Sequence, residues 1–305
     1  MIKQIADTSV NKICSSQAVY NLSIAIKELL ENSLDAQSSI INIHILNVSD
    51  FIVSDNGSGI SLDNHSSLAL KHHTSKISLF NHLENLSSFG FRGEAISSIA
   101  NISSSLVVTT RTSDSDIGYK LVYNQQGELT SSTQTHRQVG TTVHVQGIFS
   151  TLSVRYAEFQ RSSKREIAKA ISIIQSYALI QEIRISCKLE SKDLFSTSAI
   201  SIPANISCIF PSTQFNEISL PLNIKNCISI NGYISSPFNS NRGSPDRQFW
   251  FVNKRPVLLN KFTRVINEIA KEFQKGHLFW VLDFTFVGFT SVDLVLVFYI
   301  ECYSG

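Results

Sequence analysis

The chain has 305 residues, 43% of them hydrophobic, and a formal net charge of +2, enough for one large or two ordinary domains with proper cores. Its five cysteines, at positions 14, 187, 208, 227 and 302, show no paired Cys-x-x-Cys spacing. That pattern points to reduced, core-packed thiols of a cytosolic or nuclear protein rather than a disulfide framework. Met1–Asp7 lacks the long apolar run of a signal peptide, and no internal repeat is evident.

In chain order, the first predicted element is a helix over Ala18 to Ala36, with Val19, Leu22, Ile26, Leu29 and Leu30 as its apolar stripe. Glu28, Asn32 and Asp35 fall at i, i+4 and i+7 and share another face. A carboxylate one turn from a carboxamide suits hydrolysis of a metal-bound phosphate. The first takes a proton from water, and the amide oxygen is a neutral, hard ligand for Mg²⁺. A solvated helix face explains this segment equally well by itself. Next, Ile41, Ile43 and Ile45 alternate with Asn42 and His44, the pattern of a half-buried strand. A second strand, Phe51-Ile52-Val53, runs into Ser54-Asp55-Asn56-Gly57-Ser58-Gly59-Ile60. That is either a turn, since Asp, Asn and Gly dominate turns, or a flat-ring site. In the second reading Asp55 accepts from an exocyclic amine while Gly57 and Gly59 let backbone approach the ring.

Two further segments follow, Lys71-His72-His73-Thr74-Ser75-Lys76-Ile77 and Gly90-Phe91-Arg92-Gly93-Glu94-Ala95-Ile96. Glu94 to Ala100 is predicted as a short helix, and a glycine-flanked helix start offers unpaired N–H groups to phosphates. The adjacent histidines diverge on any regular element and have no Cys or third His nearby, which disfavours zinc. No Gly-x-x-x-x-Gly-Lys-Ser/Thr occurs, and no Gly-x-Gly-x-x-Gly opens a helix, so neither a P-loop nor a dinucleotide fold is expected. Later, Ile167, Ala170, Ile171, Ile174 and Tyr177 make a core-facing stripe on a helix over about 164 to 180, expected to close the first domain. A mixed sheet with helices over one face is expected to about residue 200. A second α/β domain, 201–305, begins near Ile202-Pro203-Ala204. Charge is uneven: residues 1 to 100 hold six Lys/Arg against nine Asp/Glu, whereas 242 to 275 hold eight against three. The basic stretch suggests a salt-sensitive phosphate-backbone surface, or else an ordinary basic helix face.

Together these segments resemble the MutL mismatch-repair family, whose ATPase domain belongs to the gyrase, chaperone and histidine-kinase ATPase class. Glu-Leu-Leu-Glu-Asn-Ser-Leu-Asp-Ala and Asp-Asn-Gly-Ser-Gly fit that whole class. Thr74-Ser75-Lys76-Ile77 with Gly90-Phe91-Arg92-Gly93-Glu94-Ala95 is narrower and similar to MutL. Gly140-Thr141-Thr142-Val143 is similar to the class's late nucleotide contact. Leu152-Ser153-Val154-Arg155 and Glu158-Phe159-Gln160-Arg161 resemble the eukaryotic post-meiotic-segregation branch. The resemblance covers residues 1 to 283.

The resemblance implies an α+β protein: a mixed-sheet α/β sandwich ATPase domain over 1–200, then a smaller α/β domain with ribosomal-protein-like, left-handed βαβ topology. It implies ATP and Mg²⁺ as cofactors, Glu28 as the general base and Asn32 as the metal ligand. Asp55 reads the adenine amine, with Gly57, Gly59 and Thr141 around the base. Ser75, Lys76 and the lid Gly90, Phe91, Arg92, Gly93, Glu94, Ala95 and Ile96 enclose the phosphates. Gln248 to Pro256 resembles the strand and turn at which an arginine contacts DNA, which selects Arg255. The implied partners are DNA, a MutL-homologue subunit and a MutS-type mismatch-recognition complex, with nuclear localisation and no membrane. The family's Val-Asp-x-Asn-Val-x-Pro-x-Lys loop, whose lysine reaches the γ-phosphate, begins here as Ser291-Val292-Asp293-Leu294. It continues as Val295-Leu296-Val297-Phe298-Tyr299-Ile300, with no Lys or Arg beyond Lys275. The apolar tail from Leu278 carries Asp283 and Asp293, costly in a membrane, and reads as a buried strand plus the aberrant end of a truncated or mis-spliced product. Hence a competing reading: a nucleotide-gated DNA-binding or scaffold module with little turnover. A topoisomerase or chaperone ATPase shares the Asn and Asp-Gly motifs but not Gly-Phe-Arg-Gly-Glu-Ala.

Overall fold

The computed structural model describes residues 7–71, 73, 89, 94–222, 228–236, 245–272 and 276–286. These form two compact units. One holds the described residues up to Ile174 together with Ile183–Ser196; the other holds Gln175–Glu182 and those from Thr197 onward.

The first unit runs α1 (Asp7–Ala18), α2 (Leu22–Asp35), β1 (Ile40–Ile45), β2 (Phe51–Asp55), a 3₁₀ turn (Leu62–Asn64), α3 (Ala95–Ile102), β3 (Ser105–Arg111), β4 (Gly118–Tyr123), β5 (Leu129–Thr135), β6 (Gly140–Gln146), α4 (Ser153–Arg161), α5 (Ser163–Ile180), β7 (Arg184–Leu189) and β8 (Lys192–Ser196). The strands make one sheet in the order β5-β4-β3-β6-β2-β1-β7-β8. It is mixed, because β1 and β7 run parallel while β1 pairs antiparallel with β2. Parallel neighbours need a long crossover, and α3 to α5 lie between them in the chain. One sheet face is apolar and buried: Ile41, Ile43, Phe51, Val53, Leu106, Val108, Val145 and Ile185. Alternate residues such as Asn42, Ser54, Thr109 and His144 are more exposed, so among the described residues one face is packed and the other more open.

The predicted helix over Ala18 to Ala36 is shorter and preceded by another. Asn21 is the N-cap of α2, its side chain accepting from the Ile24 N–H at 2.8 Å, so the helix starts at Leu22. Val19 is buried in the link from α1 rather than in the helix. On α5, Ala170, Ile174 and Tyr177 are buried as the stripe required. The last turn, however, does not close the first unit. Leu179 and Ile180 join the core of the second, with Ile206, Phe249 and Phe279.

That second unit continues with α6 (Ile202–Ile209), β9 (Asn216–Leu222), β10 (Ile228–Ile234), β11 (Gln248–Val252), β12 (Arg255–Val257), α7 (Asn260–Ala270) and β13 (Trp280–Phe286). Its sheet order is β12-β11-β13-β10-β9, with β11 and β13 parallel and α7 between them in sequence, a βαβ unit. Both faces are covered. Phe249, Phe251 and Val281 pack with α6 and the end of α5, whereas Trp250, Val252, Leu282 and Phe284 pack with Leu259, Ala270 and Ile266 around α7. A central strand buried on two faces reads as a continuous apolar run, which accounts for the tail as far as Phe286. The half-buried Asp283 accepts from the Lys254 N–H at 3.2 Å, and burial raises its pKa. No described helix is long and apolar enough to cross a membrane. The departure beyond Asp293 falls outside the described residues.

Candidate active site

A cavity of about 1130 Å³ opens in the first unit against α2, the end of β2 and the start of α3. Glu28, Asn32 and Asp35 line it from α2, Asp55 and Gly59 from β2 and its turn, Glu94, Ala95 and Ile96 from the start of α3, and Thr141 from β6. The shared helix face expected from spacing is therefore a cavity wall.

Asp55 ends β2 with its carboxylate fixed from three sides. Oδ1 accepts from the Gly57 N–H at 2.9 Å and the Thr141 N–H at 3.1 Å. Oδ2 accepts from Ser33 Oγ at 2.9 Å. Carboxylate oxygens offer about four acceptor sites in all, so one on Oδ2 is left for a ligand. Two glycines are required by geometry here. Gly59 has φ +75°, and a Cβ there would stand 2.2 Å from the Arg111 carbonyl oxygen. Gly140 has φ +127°, and its Cβ would stand 2.2 Å from the Asp55 carbonyl oxygen. No other residue adopts such backbone so closely packed without displacing it. Below Asp55, Arg137 donates from Nη2 to the Asp55 carbonyl at 3.0 Å and from Nη1 to Thr142 Oγ1. Burial lowers the Arg137 pKa and the neighbouring Asp55 charge opposes that.

At the α2 wall, Lys27 sits 2.8 Å from Glu31 and 3.3 Å from Glu28. Burial pulls the Lys27 pKa down, but Glu31 and then Glu28 outweigh it and hold the ammonium above its ordinary value. Asp35 Oδ1 accepts from the Phe89 N–H at 2.8 Å, tying the far end of α2 to the segment leading into α3. Glu94 is the N-cap of α3 without a side-chain capping bond, the first N–H groups of any helix lack an intrahelical acceptor, and Glu94, Ala95 and Ile96 line the cavity. Ser75, Lys76, Gly90, Phe91, Arg92 and Gly93 lie outside the described residues. Among the described lining residues, carboxylates (Glu28, Glu31, Asp35, Asp55, Glu94, Asp114) outnumber cations.

Sequence reasoning brought Glu28, Asn32, Asp35, Asp55, Gly59, Glu94, Ala95, Ile96 and Thr141 to one cavity, and Gly57 reaches it through its N–H on Asp55. It missed Lys27, Ser33 and Arg137. Lys27 was legible as a basic residue i−4 to Glu31. Ser33 and Arg137 carried no signal, because their partners lie 22 and 82 residues away.

In the second unit Asn253 (φ 47°) and Lys254 (φ 63°) make the two-residue turn of the β11–β12 hairpin, which sets Arg255 at the start of β12. The basic stretch is partly committed to structure. Arg247 lies 4.5 Å over the Phe210 ring, Lys254 pairs with Glu182 at 2.9 Å, and Arg264 with Glu268 at 3.0 Å.

Residues 20–147 match the family described as histidine kinase-, DNA gyrase B- and HSP90-like ATPase, and residues 208–293 match the C-terminal domain of DNA mismatch repair protein. DNA mismatch repair protein PMS1 of Arabidopsis thaliana is 38% identical over 303 residues, covering 94% of this chain and 32% of that protein. Mismatch repair endonuclease PMS2 of Homo sapiens is 38% identical over 321 residues, covering 96% and 37%. The chain thus spans about a third of the length of these curated relatives. The crystal structure of the N-terminal domain of a DNA repair protein superposes with a TM-score of 0.78 at 35% identity, covering 91% of this chain and 86% of that one. The Aquifex aeolicus MutL ATPase domain complexed with ADP, at 22% identity and a TM-score of 0.65, shares the fold. With both family matches in order and these relatives spanning nearly the whole sequence, the chain belongs to the MutL-type mismatch-repair proteins, on their PMS1/PMS2 branch.

Proposed function

We propose that this chain binds ATP with Mg²⁺ in the cavity over α2 and hydrolyses it, as the N-terminal module of a MutL-type mismatch-repair protein. The observation that carries the reading is the Asp55 carboxylate. Three donors fix it at a strand end, with one acceptor site open toward a cavity whose α2 wall bears Glu28 and Asn32. A fixed acceptor beside an open glycine turn suits an exocyclic amine on a flat ring, with Gly57, Gly59 and Thr141 around the base. Similarity in fold to a MutL ATPase domain complexed with ADP supports it.

Magnesium fits the donor set. A wall rich in carboxylates repels a bare triphosphate, and Mg²⁺ takes few protein ligands, filling its shell with waters and phosphate oxygens. The Asn32 amide oxygen is a suitable single ligand, neutral and one turn from Glu28. Glu28, oriented by Lys27, takes the proton of the attacking water. The helix-start N–H groups at Ala95 and Ile96, with Glu94 before them, serve the phosphates. Ser75, Lys76 and Gly90 to Gly93 complete the enclosure by resemblance. Catalysis of this kind is chiefly positioning and charge stabilisation.

Around the β11–β12 hairpin, Arg255 contacts the phosphate backbone of DNA, giving binding without sequence preference. Exposed Lys261 and Lys271 extend that surface, while Arg247 is held over Phe210 and serves the fold. A MutL-homologue partner, a MutS-type complex and a nuclear setting belong to the same proposal, which similarity to proteins named for DNA mismatch repair supports. Titration with a non-hydrolysable ATP analogue in the presence of Mg²⁺ tests the central claim. Saturable binding is expected, and no binding at millimolar analogue would sink it.

A further inference from the structure

The geometry points to Arg137 as a positioning residue for base recognition: by bridging the Asp55 carbonyl and Thr142 Oγ1 it holds the end of β2 against β6, so that the Asp55 carboxylate, itself held by the Thr141 N–H, meets a bound purine in one fixed arrangement. The inference rests on the reading of Asp55 as the adenine acceptor and extends it to a residue that touches no ligand.

The β2–β6 ladder pairs Phe51 with Val145, Ile52 with His144, Val53 with Val143 and Ser54 with Thr142, and there it stops. Asp55 pairs on its other side with Ile41 of β1, and Thr141 with Thr110 of β3. At the step where base-reading atoms are needed, the two strands are therefore no longer held by regular backbone bonds. Three other contacts take over. The Thr141 N–H reaches Asp55 Oδ1 at 3.1 Å, Arg137 Nη2 reaches the Asp55 carbonyl at 3.0 Å, and Arg137 Nη1 reaches Thr142 Oγ1. Ser54 Oγ shares Thr142 Oγ1 at 2.7 Å, so the guanidinium binds a hydroxyl already tied to β2. Gly140, with no room for a Cβ against the Asp55 carbonyl, lets the β6 start approach this point. Arg137 lies in the connection between β5 and β6, outside both strands, and its Nε is buried without a partner. A guanidinium drawn in at the cost of one orphaned donor is held by its two terminal bonds.

Removing the bridge frees the Asp55 carbonyl and lets the parted strand ends move against each other. The carboxylate then loses its angle to the amine. Phosphate contacts at the start of α3 lie on a different element and are unaffected. Weakening one charge-assisted hydrogen bond without abolishing it corresponds to about tenfold in affinity, the low end of what its full loss would cost.

The test compares the full chain with Arg137→Met, which keeps length but has no donors, and Arg137→Lys, which keeps the charge but reaches one acceptor at a time. Dissociation constants are measured for non-hydrolysable ATP and GTP analogues with Mg²⁺ and for inorganic tripolyphosphate. The parent should prefer the ATP analogue. R137M should lose about tenfold for it, less for the GTP analogue and nothing for tripolyphosphate, with R137K between. An ATP-to-GTP ratio unchanged in both variants overturns the inference while leaving Asp55 as the reader. Equal losses for all three ligands overturn it too, since that is general distortion. If R137M does not fold, the R137K ratio decides by the same criterion. A parent without preference overturns the reading of Asp55 and this inference with it.

Discussion

Replacing Asp55 with Asn changes one oxygen for an NH₂ group and leaves volume nearly constant, which makes it the sharpest probe of the site. The native carboxylate takes two backbone N–H groups on Oδ1 and one hydroxyl on Oδ2. An asparagine has two orientations. If its amide nitrogen faced Gly57 and Thr141, two donors would oppose two donors, so the amide oxygen must take that side. The nitrogen then points toward Ser33 and the cavity. Ser33 accommodates it, because its proton can turn to the Leu29 carbonyl at 3.2 Å and its oxygen can accept. The fold should therefore survive with little loss. A purine amine cannot accommodate it, since two donors would face one another. The charged hydrogen bond lost is worth about 1.5–3 kcal/mol, or roughly tenfold to a hundredfold in affinity at 1.36 kcal/mol per decade. Calorimetric titration of parent and D55N with a non-hydrolysable ATP analogue measures this, with thermal unfolding as the control. Unchanged affinity in a stably folded D55N would show that adenine is read elsewhere.

Glu28→Ala should leave nucleotide binding nearly intact and lower single-turnover hydrolysis by about 10²–10⁴-fold, the usual contribution of a positioned base; hydrolysis at the parental rate would reduce Glu28 to a partner of Lys27. DNA binding should fall steeply with salt and be independent of sequence, and Arg255→Glu should weaken it on all duplexes alike. Salt-insensitive binding in a filter or fluorescence assay would remove the phosphate-backbone reading. Burial pushes the Cys187 thiol up to about 12, so it stays protonated at pH 8, whereas Cys14 and Cys208 are exposed. Brief alkylation of the native chain followed by peptide mass spectrometry should label Cys14 and Cys208 and spare Cys187; early labelling of Cys187 would contradict its place in β7.

What the sequence determined by itself were features encoded within a few residues. Alternation of Ile41, Ile43 and Ile45 is a property of one strand, and it appears as a buried stripe. The spacing of Glu28, Asn32 and Asp35 specifies one helix face whatever surrounds it, and the motif order identified the family. Even the start of the apolar run from Leu278 was legible as strand, which the described residues show as far as Phe286. Boundaries were less legible, since the start of α2 depends on which nearby polar side chain turns back to cap it, and Asn21 does so. Only the tertiary structure decided how distant segments meet. Ser33 and Arg137 are an unremarkable serine and a loop arginine until α2 packs on β2 and β2 pairs with β6, when one binds the carboxylate of Asp55 and the other its carbonyl. Likewise the last turn of α5 continues its own apolar pattern, yet Leu179 and Ile180 pack in the second unit's core. Local periodicity states that a face is apolar; which surface covers it is set by long-range packing, which no short window of sequence contains.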